Sequence, residues 1–524
     1  MKGNAVDNRD VKGMANVNDG QRLPIPTSNP HAAARFIGEW VSSLNPFWLP
    51  VGLFLTVLLS RAAFITDGFG SHPDEWRVVR SGAVFWLDGM YVPSRLPGYP
   101  FNELLMGGAA LLGGPRLCAL LTTLVSAVTA LLFLRWVRLN AVEGPSWPAF
   151  ALALHPWFWA SGITALDPAW GLGLLVAALL AIETRNYFWA GFASGLAIGF
   201  RPTAALWGGV LLLSTIHRSR SLHSAIGFVV GASIPVGLLL ALLFSGDNYL
   251  KNTSSLFDSL AKVNVRQIVL AAARTVEFLG GIPGAVAILT ITVWRMASVR
   301  AFLGKNFGAV WPLAACCILF LIQYVIISDK PEYLFPIMPF MLLTLAGAVR
   351  WQDWTALLVI FIVTTFVALD LGSWGHGDKP VFDVRLVSGP VPHYVSRIQS
   401  QTQTAARLAS HSREHDAVIR EDVPSYHVFE RAYIIDLLRY SSVRGTQNEQ
   451  IPLLLEFIRR SRGEPLLVRE WNEIRISEGS LVGLYYPAKN TLLIESGSPD
   501  SDQALLMAAR SASEFKKSRQ REGS

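Results

Sequence analysis

Apolar runs close to membrane length recur along the first two thirds of the chain, separated by short polar connections, and then stop. A helix of about 20 apolar residues spans the bilayer's hydrocarbon core, so the pattern predicts a bundle of membrane-crossing helices. The first run covers about Pro46 to Ile65. Others centre near Leu124, Leu154, Leu175, Ala193, Leu211, Gly231, Ala285, Leu319, Met341 and Ile360, about eleven in all. Some runs, such as residues 203–216, are short for a bilayer, which predicts tilted or broken helices with Pro202, Pro235 and Pro283 as kink positions.

The ends of the chain read differently. Residues 1–46 are polar and predict a disordered cytoplasmic tail. Residues 47–372 form the transmembrane unit, with a large first extracytoplasmic loop over 67–114. Residues 373–524 carry charge throughout and predict a soluble extracytoplasmic α/β domain. Its expected elements are strands near Ala417–Arg420, Pro465–Arg469, Leu481–Tyr486 and Thr491–Ser496 and helices near Tyr426–Arg439 and Gln450–Arg462. This domain is expected to recognise an acceptor or a partner.

Composition agrees with the pattern. Of 524 residues, 51% are hydrophobic and 16% charged, too apolar for a soluble protein of this size. The net charge of +7 does not indicate nucleic acid, because the cations cluster in short connections. Arg135, Arg138, Arg185, Arg218, Arg220, Arg295, Arg300, Lys305 and Arg350 assign their connections to the cytoplasm, while Asp167, Asp247, Asp258 and Glu332 fall on the opposite side together with Lys251 and Lys330. An odd number of spans places the C-terminus outside. Cys118, Cys316 and Cys317 all fall within apolar runs and read as small core residues.

Chemistry is concentrated after the first run, in Ser71-His72-Pro73-Asp74-Glu75-Trp76. Ser71 is the expected N-cap of a helix with Pro73 in its first turn and two carboxylates where the macrodipole favours them. Such a helix explains the residue types on its own, yet unpartnered carboxylates beside lipid are costly and call for a use. Trp76, Phe85, Trp86 and Tyr91 add an aromatic belt.

The stretch from His72 to Gly89, followed by Ser94-Arg95-Leu96-Pro97-Gly98-Tyr99-Pro100, resembles the first luminal loop of the α-mannosyltransferases that build GPI anchors and N-glycan precursors. That family has a His-Pro-Asp-Glu motif there. A second resemblance lies in Asp329-Lys330-Pro331-Glu332-Tyr333-Leu334-Phe335-Pro336, similar to the family's His-Lys-Glu-x-Arg-Phe motif. Aligned on Lys330, Asp329 stands where a His is usual and Tyr333 where an Arg is usual. The resemblance implies a GT-C fold and a bacterial relative that uses a polyprenyl-phosphate sugar, with Asp74 as catalytic base and Glu75 as its helper.

Such a reaction has a good leaving group, so it needs one base for the acceptor hydroxyl and cations for the departing phosphate. Arg201 is the first candidate cation, at the end of Gly191-x-x-x-Gly195-x-x-x-Gly199-Phe200-Arg201 and at a place that resembles the superfamily's basic residue. A snorkelling lipid anchor is its ordinary alternative. Lys330 follows, then Arg95 and Lys251, with His72 as a further phosphate or acceptor contact. Asp167, before Pro168, faces the same side as Asp74 and is a supporting candidate alongside Tyr333, although an Asp-Pro turn explains it equally well. His155 reads as a hydrogen-bonded core histidine.

No metal-ligand spacing stands out, and no cofactor is obligatory beyond the polyprenyl-phosphate sugar. A divalent cation is possible without support from the spacing. The expected partners are membrane lipid, the lipid-linked donor, and a glycan, lipid or protein acceptor outside the cytoplasmic membrane. The alternative reading is a transporter or flippase for a lipid-linked or sugar substrate, whose expected internal repeat is not evident.

Overall fold

The computed structural model describes residues 48–399 apart from 66–67, 70, 90, 92, 95–97, 141–143, 145, 245–264, 327–329 and 371–384, together with two short strands near the C-terminus. The fold is mostly helical. In chain order the first elements are α1 (Trp48–Ala62), α2 (Pro73–Asp88), α3 (Pro100–Leu139), α4 (Ser146–Leu154), α5 (Pro156–Ser161), α6 (Pro168–Glu183), α7 (Tyr187–Phe200), α8 (Ala205–Ser219) and α9 (Leu222–Phe244). Then come α10 (Val265–Phe278), α11 (Gly281–Trp294), α12 (Met296–Lys305), α13 (Phe307–Ile326), α14 (Met338–Ala346) and α15 (Trp351–Phe366). A 3-10 segment, Pro331–Ile337, precedes α14.

Among the described residues, α3 and α9 are each long and apolar enough to cross a membrane. Two bent pairs raise this to four if each is one span: Ile268–Phe278 with Gly281–Trp294 at 82°, and Met296–Lys305 with Val310–Ile326 at 113°. Further apolar helices are shorter than a bilayer crossing. Helix α9 turns Leu222, Ile226, Val229, Val230, Ile234 and Leu238 outward, all about half exposed or more. A continuous apolar face of that kind marks a membrane protein.

Breaks fall at Gly and Pro, though not always where the sequence predicts them. Pro202 ends α7 and opens a short 3-10 turn, as expected. Pro235 sits within a continuous α9. Pro283 lies in the first turn of α11, and the bend belongs to the preceding Gly280 and Gly281, both at positive φ. Helix α3 begins at Pro100, within the stretch expected as loop, and kinks at Gly113–Gly114, followed by Pro115, where the φ of +63° at Gly114 excludes most other residues.

Glycines also set the packing. A Cβ on Gly191 would fall 1.8 Å from the Phe228 carbonyl oxygen, and one on Gly231 would fall 2.1 Å from that of Phe188, so α7 and α9 meet backbone to backbone. Helices α2 and α3 do the same through Gly82 and Gly107. The main apolar core joins α1 and α3–α8 to α13–α15.

At the break between α4 and α5 a fully buried guanidinium, that of Arg61, donates to the carbonyls of Ala153 (3.0 Å) and Phe158 (3.3 Å). The Ala153 carbonyl is left open where the helix breaks before Pro156, while that of Phe158 also takes the Gly162 N–H at 3.1 Å. His155, in the same break, is buried between the rings of Phe278 and Phe361. Neither of its ring nitrogens makes a hydrogen bond of good geometry among the described residues, contrary to the expected bonded histidine. All three cysteines are buried.

After α15 the chain forms β1 (Val367–Asp370), antiparallel to β2 (Arg385–Ser388), and a helix over 390–399, α16. Strands β3 (Leu484–Tyr486) and β4 (Thr491–Leu493) pair antiparallel within two of the expected strands. The other elements expected in 400–524 lie outside the described residues.

Candidate functional site

Helix α2 brings the first carboxylates into position. Pro73 occupies its first turn and Asp74 and Glu75 follow, the arrangement that a helix N-terminus favours. The cap is His72 rather than Ser71: the imidazole Nδ1 accepts the Asp74 N–H at 3.2 Å. Ser71 is claimed by Glu75, whose Oε2 accepts both its N–H (2.9 Å) and its hydroxyl (2.8 Å). At the other end, Gly89 closes α2 in the left-handed region and donates to the Phe85 carbonyl.

The two carboxylates have separate surroundings. Asp74 is met from three sides: by Arg77 at 3.0 Å, by Lys330 in a direct ion pair, and by His72 at 3.3 Å. Lys330 also donates to His72 Nδ1 at 3.0 Å. With a backbone N–H and an ammonium both directed at it, Nδ1 is the acceptor, so the neutral imidazole carries its proton on Nε2. Desolvation and, after it, the Lys330 charge lower the His72 pKa from its usual value. The side chain is thus a neutral donor.

Glu75 points into the protein. Its Oε1 accepts the Ala165 N–H at 2.8 Å and so ties α2 to the connection before α6. Two residues on, Asp167 begins α6 without capping it. Its carboxylate pairs instead with Arg201 at 3.6 Å, both side chains about 4% exposed. Arg201 is therefore not a lipid-facing anchor, and the Asp-Pro turn alone does not account for Asp167. The Arg201 guanidinium lies over the Tyr333 ring, 4.7 Å from its centroid.

The 3-10 segment closes the circuit, with Lys330 at its N-cap touching Asp74 and Tyr333 three residues later touching Arg201. Of the residues expected from sequence, His72, Asp74, Glu75, Asp167, Arg201, Lys330 and Tyr333 join one connected set. Arg95 and Lys251 lie outside the described residues. Lys330 is the cation held against Asp74, and Arg201 is held against Asp167.

Sequence reasoning missed three members. Arg77 was legible as an i, i+3 partner of Asp74. Glu103, fully buried in α3, accepts from the Tyr91 hydroxyl, the Ser94 hydroxyl and, at 2.9 Å, the Ser94 N–H, which fixes the connection after α2. Glu332, next to Tyr333, accepts from the hydroxyl of Tyr394 on α16. No local sequence signal announced that contact. Among the described residues no three His, Cys, Asp or Glu side chains gather as a metal site.

No family model matches the sequence, and no curated protein matches it. Among solved structures, ArnT from Cupriavidus metallidurans bound to undecaprenyl phosphate is similar over 79% of this chain and 74% of its own, with 16% identity and a TM-score of 0.43. ArnT from the same organism in the apo state is similar over 78% and 73%, with 16% identity and a TM-score of 0.41.

Proposed function

We propose that this protein is an inverting GT-C glycosyltransferase that moves one sugar from a polyprenyl-phosphate donor to a glycan, lipid or protein acceptor on the extracytoplasmic face of the cytoplasmic membrane. The observation that carries the proposal is the Asp74 carboxylate, held by Lys330 and Arg77 beside the neutral His72 at the start of the helix that follows the first apolar run. The sequence resemblance of both segments to lipid-phosphate-dependent mannosyltransferases supports the same reading.

In the proposed reaction the acceptor oxygen attacks the anomeric carbon as its proton passes to Asp74. The bond from that carbon to the phosphate oxygen breaks, and the electron pair leaves with the polyprenyl phosphate. Lys330 takes the phosphate charge. An arriving donor phosphate competes with Asp74 for this ammonium, so donor binding releases the Asp74 oxygen that Lys330 holds while Arg77 keeps the carboxylate oriented. Arg201, braced by Asp167 and Tyr333, steadies the segment that carries Lys330 and adds positive charge to it.

Glu75 is assigned the supporting role. Its oxygens are engaged by Ser71 and Ala165, which suits a residue that orients Asp74 and aligns the Asp167 connection. No step is assigned to a metal ion.

The decisive test is Asp74→Asn in the full-length protein, with membrane insertion verified and transfer from a polyprenyl-phosphate sugar measured. Loss of a general base is expected to lower transfer by about 10²–10⁴-fold. Full retained activity would remove the proposal.

A further inference from the structure

Arg61 lies in the last turn of α1, fully buried, and the proposed chemistry does not use it. Besides its Nη2 bonds to Ala153 and Phe158, the guanidinium lies 5.6 Å from the Phe158 ring centroid and 5.9 Å from that of Trp159. Among the described residues Nε and Nη1 meet no acceptor, and no carboxylate pairs with the charge. An apolar side chain of similar volume would fill the same space without the cost of taking a charge out of water. Stability alone therefore does not account for an arginine at this position.

What the guanidinium fixes is the path of the chain after α5. It bridges the break, with one bond to α4 at Ala153 and one to α5 at Phe158. Gly162 then closes over it: a Cβ there would fall 2.5 Å from Arg61 Nε, 3.1 Å from Arg61 Cδ and 3.0 Å from Ser126 Oγ of α3. The Gly162 carbonyl accepts from the Thr123 hydroxyl of α3 at 2.8 Å. From this seat the chain turns tightly, the Ser161 carbonyl accepting from the Thr164 hydroxyl at 3.1 Å and from the Thr164 N–H at 3.4 Å. Next, Ala165 donates its N–H to Glu75 at 2.8 Å and accepts from the Asn102 side chain at 3.4 Å, and Asp167 pairs with Arg201. The connection thus starts on Arg61 and ends on two contacts of the site.

We propose that Arg61 is a positioning residue of the site: it sets the course of residues 162–167 and, through the bond from Ala165 to Glu75, the placement of Asp74. The inference rests on the function proposed above. It gives the end of α1 a part in a site otherwise built from α2, α6, α7 and the turn before α14. A guanidinium suits this use, because its rigid plane directs the two N–H bonds of Nη2 at two carbonyls, whereas the ammonium of a lysine rotates freely as a point charge.

The test uses the full-length protein in detergent and compares wild type, Arg61→Met, Arg61→Lys, Gly162→Ala, Glu75→Gln and the double variant Arg61→Met with Glu75→Gln. Amide hydrogen exchange is followed over 162–167 and over α4 and α6, and transfer from a polyprenyl-phosphate sugar is measured per folded protein. In Arg61→Met the amides of 162–167 are expected to exchange faster while α4 and α6 exchange as in wild type. Its kcat is expected to fall about 10–10²-fold with little change in donor KM, and Arg61→Lys to lose less. Both singles act on one connection, so the double variant should fall no lower than the more impaired of them. Gly162→Ala, which keeps Arg61 and displaces its guanidinium, should repeat the pattern, and together with Arg61→Lys it decides the matter if Arg61→Met does not fold. Wild-type kcat in Arg61→Met overturns the inference, as do losses that multiply in the double variant. Exchange that rises equally in α4, α6 and 162–167 makes Arg61 a residue of general stability and also overturns it. The reading beneath is judged separately by Asp74→Asn: full activity there removes the glycosyltransferase, while exchange over 162–167 still decides whether Arg61 holds the turn.

Discussion

Glu75 accepts the backbone N–H of Ala165 at 2.8 Å, a bond across 90 residues that fixes the start of α2 to the connection carrying Asp167. A carboxylate adjacent to the proposed base thus does its work through the backbone of a different segment. Replacement by Gln leaves one acceptor oxygen where two are now used, and a buried donor loses its partner, at a cost of about 1–3 kcal/mol. Glu75→Gln is therefore expected to lower the unfolding midpoint and reduce transfer less than Asp74→Asn does. Equal losses of activity at unchanged stability would assign Glu75 to the chemistry instead.

Asp167 and Arg201 form a buried pair, and breaking such a pair from one side leaves an uncompensated charge at about 3–5 kcal/mol. Asp167→Asn and Arg201→Gln should each destabilise the protein strongly, and the double variant should lose clearly less than the sum. Additive losses in the double-mutant cycle would mean that the two side chains act independently.

The imidazole of His72 is held neutral by desolvation first and by Lys330 second. Its folded pKa lies below the ordinary value of 6.5, so on acidification the unfolded chain takes up the proton first. The contribution of this residue to stability is fully present above that value and declines as pH falls from it towards the lower folded pKa. The unfolding midpoint of wild type relative to His72→Gln should accordingly narrow on the acid side of 6.5. Lys330→Met removes one of the two causes and should raise the folded pKa, so that the decline still begins near 6.5 but ends at a higher pH and is smaller, in part only, since desolvation remains. A decline identical in wild type and Lys330→Met would show that Lys330 does not act on His72.

Gly82 of α2 faces Gly107 of α3 so closely that a Cβ on Gly82 would fall 1.8 Å from the Glu103 carbonyl oxygen. The obstacle is backbone, which cannot rotate away. Gly82→Ala should push α2 off α3, cost about 1–3 kcal/mol as an overpacked contact, and lower transfer because Asp74 rides on the same helix. The same substitution at Gly209, where nothing lies within 4 Å, should leave both quantities near wild type.

Much of this was readable in the chain because it depends on local chemistry. Pro73 with two following acids can only start a helix well, and the resemblance around Lys330 drew attention to the turn that joins Asp74 to Arg201. The cap was misread between neighbours: Ser71 and His72 both present an acceptor, and the choice is settled by Glu75, which takes the Ser71 donors. Gly113-Gly114-Pro115-Arg116 marks a break where the expected first loop ends, but the helix on its near side, from Pro100, reads in the sequence as part of that loop. Tyr394 and Glu332 are 62 residues apart, and neither the period of α16 nor the motif around Lys330 encodes that meeting.

The partner of Asp74 is 256 residues further along the chain. At ribosomal rates of about 5–20 residues per second, roughly 13–50 s pass between synthesis of the acid and synthesis of Lys330. During biogenesis α2 must therefore wait with its carboxylate answered by neighbours such as Arg77, and the ion pair assembles only when nearly two thirds of the polypeptide has been delivered. A nascent chain stalled before that point carries the acid without the ammonium that restrains it.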